Sequence, residues 1–485
     1  MQGRTVVIGA GPSGLSAAHI LVNHGRKTLI IESRNTPGGI ARTERFKGFY
    51  FDLGGHRFYT KNQRVLDFWN DYLRSDFLSV DRLSRIHYDG RLFRYPIDLQ
   101  DVLKKMEWGE GGKILFSFLK SQLGRRGPED SFEEWVSNRF GARLFKKFFK
   151  EYTEKVWGLD CRDISADWAS QRIRNLTLFS AVKDAFVPQE NVKTLSRTIY
   201  YPKRGPGQLW TSVAKKLKKQ GAEIRFRASV DEIYVEGGRV QAISYVSGKG
   251  RKKCQVENVI STMPLSCLLR ALRPIPPKGI LAAVSRLSHR SLILVGLILR
   301  NAHVFSDQWL YVHSPGVKVG RIQNFKNWSP FMVPDPGFTS LGFEYFCNTM
   351  DDFWKKSDAE LISIAGQELE QLKLADAKDV VDGVVFREAF AYPVYDQDYT
   401  VNVKIIRDYL ERISNLQTVG RSAMHRYNNQ DHSMLAGFYA AENILGDQHD
   451  VWDVNTDRTY YEKPVRRRMT TKEKFWDYDH SIRHS

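Results

Sequence analysis

The chain has 485 residues and carries 73 Lys and Arg against 55 Asp and Glu, a formal charge of +18. With 42% hydrophobic and 26% charged residues it is neither disordered nor fibrous, and its length calls for two or three lobes. No apolar run reaches the roughly 18–20 residues that cross a bilayer, and none of the four cysteines (Cys161, Cys254, Cys267, Cys347) forms a CxxC pair. The apolar N-terminal segment is broken by Gly9, Gly11 and Gly14 and is followed by no cleavage site, so it is not read as a secretory leader. A disulfide framework and a cysteine zinc site are therefore not expected, no metal is expected, and a cytoplasmic setting fits best.

The positive charge has four readings. The basic residues are spread along the chain, which favours a solvated basic surface. Steering of anionic small molecules and weak contact with anionic lipid remain open. A nucleic-acid partner is not expected, because neither a zinc finger nor an RNP-type aromatic strand is present.

Arg4 to Ile8 is a short β-rich run that leads into Gly9-Ala-Gly11-Pro-Ser13-Gly14. A helical pattern follows from Leu15 to Asn23, then a second strand from Thr28 to Ile31 that ends in Glu32. Gly9 permits a tight turn, Gly11 lets the backbone approach a pyrophosphate, and Gly14 lets the helix pack on the strand. Ser13 stands in the first helical turn, where free N–H groups and the helix dipole attract phosphate. Glu32 lies where a carboxylate binds ribose hydroxyls. Strand, turn, helix and acid in this order predict a dinucleotide site.

The following run, Glu32-Ser33-Arg34 to Gly38-Gly39-Ile40-Ala-Arg42, resembles the flavoprotein superfamily of amine oxidases, protoporphyrinogen oxidase and UDP-galactopyranose mutase. That resemblance implies FAD, with Ser33, Arg34, Gly39 and Ile40 along it. Further motifs resemble the mutase branch. Leu53 to Thr60 is similar to the loop that touches the flavin ring, which implies contacts from Gly55 and His56. Tyr95 to Leu99 resembles a nucleotide-pocket segment, with Asp98 where the family has Asn. Tyr152-Thr153-Glu154-Lys155-Val156-Trp157-Gly158 matches the mutases almost unchanged. There the tyrosine and tryptophan line the sugar-nucleotide pocket.

Val319 to Ile322 resembles the segment whose arginine reaches the diphosphate, which implies that role for Arg321. Tyr392 and Tyr427 are implied as donors to substrate phosphate. Gly420 and Arg421 would contact the FAD diphosphate, and Val230 would pack near adenine. Asp431, His432, Ser433 and Met434, at the start of the last helix, would approach the flavin carbonyl edge. Two departures stand out: Leu176 replaces a mobile-loop arginine, with Arg174 nearby as a substitute, and Asn429 replaces an aspartate.

The implied fold is α/β (α+β overall), with a discontinuous Rossmann-like FAD-binding domain at 1–70, 190–275 and 385–446. A helical capping domain would occupy 71–189, a β-rich substrate lobe 276–384, and a tail 447–485. The implied activity is a redox-neutral interconversion of pyranose and furanose forms of a UDP-sugar, using reduced FAD through an adduct between flavin N5 and the sugar. A homodimer is common in similar mutases. An FAD-dependent oxidoreductase acting on a sugar, amine or porphyrinogen-like substrate is the alternative.

Overall fold

A computed structural model describes residues 3–123, 127, 129–166 and 198–454. Arg174 and Leu176 lie outside these residues, as does the tail beyond 454. At the centre is a five-stranded parallel sheet in the order Leu416–Thr418, Asn258–Ser261, Thr5–Ile8, Thr28–Ile31, Glu223–Arg225. The two strands with the most β-branched residues, TVVI and TLII, hold its middle, and every one of their residues is buried. Burial on both faces explains why they read as unbroken apolar runs rather than as alternating patterns. The register pairs Val6 with Leu29 on one side and Val259 on the other.

The Pro12–Asn23, Gly207–Lys219 and Gln430–Leu445 helices cover one face of this sheet. The Pro12–Asn23 helix packs closely on the C-terminal Gln430–Leu445 helix. The approach requires Gly437, whose added Cβ would lie 2.2 Å from the Ser13 carbonyl oxygen. A small antiparallel sheet, formed by Ala228–Glu236, Arg239–Ser247 and Gly250–Gln255, joins the other side through the cluster around Val6, Leu29, Ile233 and Leu268.

A seven-stranded mixed sheet forms the second half. Its order is Val380–Pro393, His289–Leu299, Thr339–Cys347, Arg321–Asn324, Trp309–Val312, Ser84–Tyr88, Arg91–Arg94. It extends past the 276–384 span at both ends. Two strands come from the segment expected to be helical, and the Val380–Pro393 strand crosses the expected boundary without a break. The reason is the pairing: Trp309–Val312 takes Ser84–Tyr88 as a parallel neighbour, which gives its open edge a partner.

Helices at Leu99–Lys105, Trp108–Leu123, Phe132–Phe140 and Glu151–Trp157 pack over this sheet, the last after a π-helical stretch at 145–150. Phe93, Phe132, Phe140 and Phe148 form the core between them. Among the described residues, no helix is long and apolar enough to cross a membrane.

Candidate active site

The three glycines of the first turn do different work. Gly9 has φ +101°, and a Cβ there would lie 2.0 Å from Thr262 Oγ1. A Cβ on Gly14 would lie 2.0 Å from the Gly9 carbonyl oxygen. Both are demanded by the protein's own packing. Gly11 is not, since a Cβ on it meets nothing closer than Gly39 Cα at 3.7 Å. The space that Gly11 leaves is an open cradle facing Gly39. The Pro12–Asn23 helix begins at this cradle with no side-chain cap and no acid in its first turn. Its positive end is therefore left for an external anion, and the residues present fit the pyrophosphate of a dinucleotide.

Glu32 is buried and tied to the turn. Its carboxylate accepts the Ala10 N–H at 2.7 Å and the Arg34 N–H at 2.8 Å, with the Ser33 hydroxyl at 3.3 Å. Val230 starts close by, because Ala228 N–H donates to the Glu32 carbonyl. Arg34 reaches across to Glu388, making two bonds of 2.7 and 2.8 Å. Arg42, almost fully buried, donates to the same carboxylate at 2.8 Å and to the Gly39 carbonyl at 2.8 Å. Glu388 and Arg42 thus brace the cradle's second wall. Nothing local in the sequence marks Glu388, which lies some 350 residues away. Gly420, with φ +116°, brings the loop after the Leu416–Thr418 strand against Ser13. The cradle therefore sits at the carboxyl ends of the parallel strands, where open α/β sheets bind ligands.

The loop that follows the Phe49–Asp52 strand turns toward the seven-stranded sheet. A Cβ on Gly55 would lie 1.7 Å from the Trp309 ring, so loop and ring are in full contact only because the residue is glycine. His56 Nε2 lies 3.0 Å from the Leu53 carbonyl. A carbonyl only accepts, so Nε2 carries the proton. Burial first, and then the charge of Arg421, push the His56 imidazole down to about 4, which leaves it neutral at pH 7. The Gln430 side chain donates to the His56 carbonyl at 3.3 Å and joins the last helix to this loop. Behind it, Asp431 is buried, and burial lifts its carboxyl to about 7. His432 accepts the Asn429 N–H at 3.4 Å, and Ser433 N–H bonds back to Asn429 in the first turn. Met434 faces the core, where its sulfur accepts the Trp69 indole N–H at 3.2 Å.

Opposite His56 stands Arg321. Its Nη2 lies 2.5 Å from Glu344 and donates to the Tyr392 hydroxyl at 2.5 Å. Trp309, Phe346 and Tyr392 rings surround the guanidinium at 5.1, 4.7 and 5.6 Å. Burial works against the charge, but Glu344 and the nearby tyrosines hold Arg321 well above its ordinary value. Burial pushes the Glu344 carboxyl up, and Arg321 and Gln323 pull it back. Arg321 Nε and Trp309 Nε1 are buried and have no hydrogen-bond partner among the described residues. Two orphaned donors on neighbouring side chains are what a bound anion would satisfy.

Arg421 also lies close to Tyr392, 4.9 Å from that ring and 3.8 Å from the ring of Tyr427. Carbonyls of Ala391 and Asn428 hold two of its nitrogens, which fixes the guanidinium plane. Tyr392 and Tyr427 stack at 5.7 Å.

The remaining expected residues are placed unevenly. Tyr152 is stacked on His313 at 4.3 Å and meets Tyr311 edge-on. Trp157 is 4% exposed and packs against Tyr392 and Tyr427, so it forms the pocket's back wall rather than a free stacking platform. Asp98 is the N-cap of the Leu99–Lys105 helix and accepts the Gln100 N–H at 2.8 Å and the Asp101 N–H at 3.2 Å.

Besides Glu388, two residues of the Arg321 face were not anticipated. Glu344 had a signal: it is the one charged residue in the otherwise uncharged strand TSLGFEYFC, and a fully buried carboxylate requires a partner. Trp309 had none, because its role depends on where the Gly55 loop arrives.

A UDP-galactopyranose mutase of Mycoplasma genitalium is 28% identical over 169 residues, 32% of this chain and 39% of that protein. An L-amino-acid oxidase of Crotalus adamanteus is 40% identical over 291 residues, 57% of this chain and 54% of that one. The chain thus spans about two fifths to a little over half the length of these curated relatives. Among solved structures, a reduced UDP-galactopyranose mutase shares the fold with a TM-score of 0.82 at 24% identity, over 94% of this chain and 98% of that one. Residues 12–445 match the flavin containing amine oxidoreductase family, and the chain belongs to this family of flavin-dependent enzymes.

Proposed function

We propose that the protein binds FAD and interconverts the pyranose and furanose forms of a nucleoside-diphosphate sugar, with a UDP-sugar as the leading substrate. One observation carries this reading. The guanidiniums of Arg321 and Arg421 lie 5.6 and 4.9 Å from the Tyr392 ring, and the charges of both act on the neutral His56. Two guanidiniums with a single buried carboxylate between them leave a net positive pocket. That charge suits a diphosphate and repels a cationic amine.

Val230, Glu32, the Gly11–Gly39 cradle and the Gly55–His56 loop would hold FAD, which when bound in reduced form would supply the nucleophile for the sugar's anomeric carbon. The chain's residues would bind and orient. Arg321, Tyr392 and Tyr427 would hold the diphosphate through its departure and return, and Arg421, implied by resemblance as a contact of the FAD diphosphate, would serve the substrate diphosphate as well because its guanidinium lies against the Tyr392 and Tyr427 rings. Trp157 would close the pocket behind it and exclude water. His56, with its proton fixed on Nε2, would offer Nδ1 as the acceptor for a sugar hydroxyl proton. Asp98, bound into its helix cap, would position the pocket wall rather than read the base.

A second reading rests on the similarity to the L-amino-acid oxidase, which covers more of the chain than the mutase match does. A single arginine would then receive a substrate carboxylate, and the other would be redundant. Anaerobic incubation with UDP-galactopyranose or UDP-galactofuranose, with and without dithionite, separates the two. Interconversion only after reduction supports the mutase. Oxygen uptake and peroxide release with an amino acid, without sugar conversion, would replace it with the oxidase.

A further inference from the structure

The Trp108–Leu123 helix has two apolar faces. Gly111, Ile114 and Phe118 are buried in the aromatic core over the seven-stranded sheet. Trp108, Leu115, Phe116, Leu119 and Leu123 point the other way, with Trp108 98%, Phe116 70% and Leu123 88% exposed. At 3.6 residues per turn these five fall in one stripe about 100° wide. Lys113 and Lys120, both exposed, run along one edge of the stripe, and neither forms an ion pair among the described residues. The helix's one acid, Glu110, is taken by Arg143 at 2.5 Å and Lys147 at 3.6 Å. The open face is therefore apolar with a basic margin. Isolated exposed hydrophobics need no explanation, but a contiguous stripe of large ones marks a contact surface.

We propose that this helix lies flat on an anionic lipid surface, with the stripe in the headgroup–acyl boundary. Three features favour a bilayer over a second copy of the chain. A tryptophan begins the stripe, where an amphipathic ring suits the interface. Lys113 and Lys120 are placed to reach up to lipid phosphates while their stems cover apolar surface. A two-fold contact between copies would bring the same lysines together without acids to meet them, whereas an anionic surface complements them and the chain's +18 charge.

The test uses the full chain with bound flavin. It is sedimented with phosphatidylcholine vesicles, with and without phosphatidylserine, at low and high salt. Thermal unfolding and flavin absorbance confirm that each variant is folded. The chain should pellet with the phosphatidylserine vesicles only, and less so in high salt. The Phe116→Glu/Leu119→Glu variant and the Lys113→Glu/Lys120→Glu variant should each weaken binding about tenfold or more. No pelleting, or variants that pellet like the parent, would overturn the proposal. So would a dimer that only the Phe116→Glu/Leu119→Glu variant dissociates, in the absence of vesicle binding, because the stripe would then belong to a second copy.

Discussion

The cradle around Gly11 and the face around Arg321 make an instructive pair. The cradle is built from backbone: a turn, a helix end and two glycines, nearly all within the first 42 residues. The Arg321 face is built from residues that four strands and two loops deliver from distant positions, with Gly55, Trp309, Arg321, Glu344, Tyr392 and Arg421 meeting there. Backbone geometry is dictated locally, so it survives loss of a neighbour poorly but needs few partners. A side-chain cluster can lose a member and keep its fold, but it loses its charge balance.

The sharpest way to test that contrast is within the glycine turn itself. Gly14→Ala puts a Cβ 2.0 Å from the Gly9 oxygen, so helix or turn must move. It should cost about 3 kcal/mol or more and abolish flavin retention, as read by urea unfolding and the visible spectrum. Gly11→Ala meets only open space within the protein and has an ordinary extended backbone (φ −78°, ψ −177°). It should fold with nearly parental stability yet bind flavin at least tenfold more weakly. Equal losses of stability in the two variants would mean that the cradle is a packing feature and not a ligand site.

On the other face, Arg321→Met leaves Glu344 buried without its cation. Breaking such a pair costs about 3–5 kcal/mol, measurable as a lower denaturation midpoint. The double variant Arg321→Met/Glu344→Leu should recover most of that stability and none of the sugar conversion. Recovery of both would remove Arg321 from the site.

The legibility of the two regions follows the same division. The glycine spacing, the Pro at the helix start and the acid at the end of the second strand are local signals, and the structure gathers these residues around one turn. The family motifs brought Arg321, Tyr392, Arg421 and Tyr427 forward, and the fold gathers them. What stayed hidden depends on register. Trp309 becomes a wall only because Gly55 arrives against it, and Glu388 becomes a brace only because the Val380–Pro393 strand runs past the cradle. The extent of the β lobe was hidden for the same reason, since nothing in Ser84–Tyr88 shows that it will pair with a strand more than two hundred residues later.

Buried titratable groups bear on both regions and act with opposite signs. Burial is the leading cause that pushes His19, His56 and His425 down to about 4, and His289 and His313 to about 3, so the folded state keeps them neutral. Between about pH 4 and 6.5 the unfolded chain binds these protons and the folded chain does not, so stability falls as pH falls. Asp52, held by the Thr43 and Tyr201 hydroxyls, behaves in the reverse sense. Burial lifts its carboxyl to about 7 against the pull of Thr43 and Tyr201. Its folded form holds a proton that the unfolded form releases from about pH 4 upward, which destabilises the fold as pH rises toward 7. Denaturant titrations across this range should show stability rising with pH overall, because the depressed histidines act together with Glu110, Asp160, Glu232 and Glu360, which their partners hold low, against the raised Asp52, Glu344, Glu368, Asp396 and Asp431. Asp52→Asn should steepen that rise by up to about 1.4 kcal/mol per pH unit. An unchanged slope would show that Asp52 titrates normally.

The smallest expected effect concerns Asp98, the residue on which family resemblance and observed geometry part most clearly. Resemblance places it in the nucleotide pocket, and the fold uses its carboxylate to cap the Leu99–Lys105 helix. Asparagine caps a helix nearly as well as aspartate, whereas alanine does not. If capping is its work, Asp98→Asn should leave both stability and KM for the sugar nucleotide unchanged. Asp98→Ala should lower stability by about 1 kcal/mol, with KM again close to parental. If Asp98 instead reads the base, the asparagine variant should shift preference among nucleotide sugars, because an amide donates where a carboxylate only accepts. KM values for UDP- and dTDP-sugars on the two variants therefore decide whether the pocket wall is held by backbone capping, like the cradle, or by a side-chain contact to ligand, like the Arg321 face.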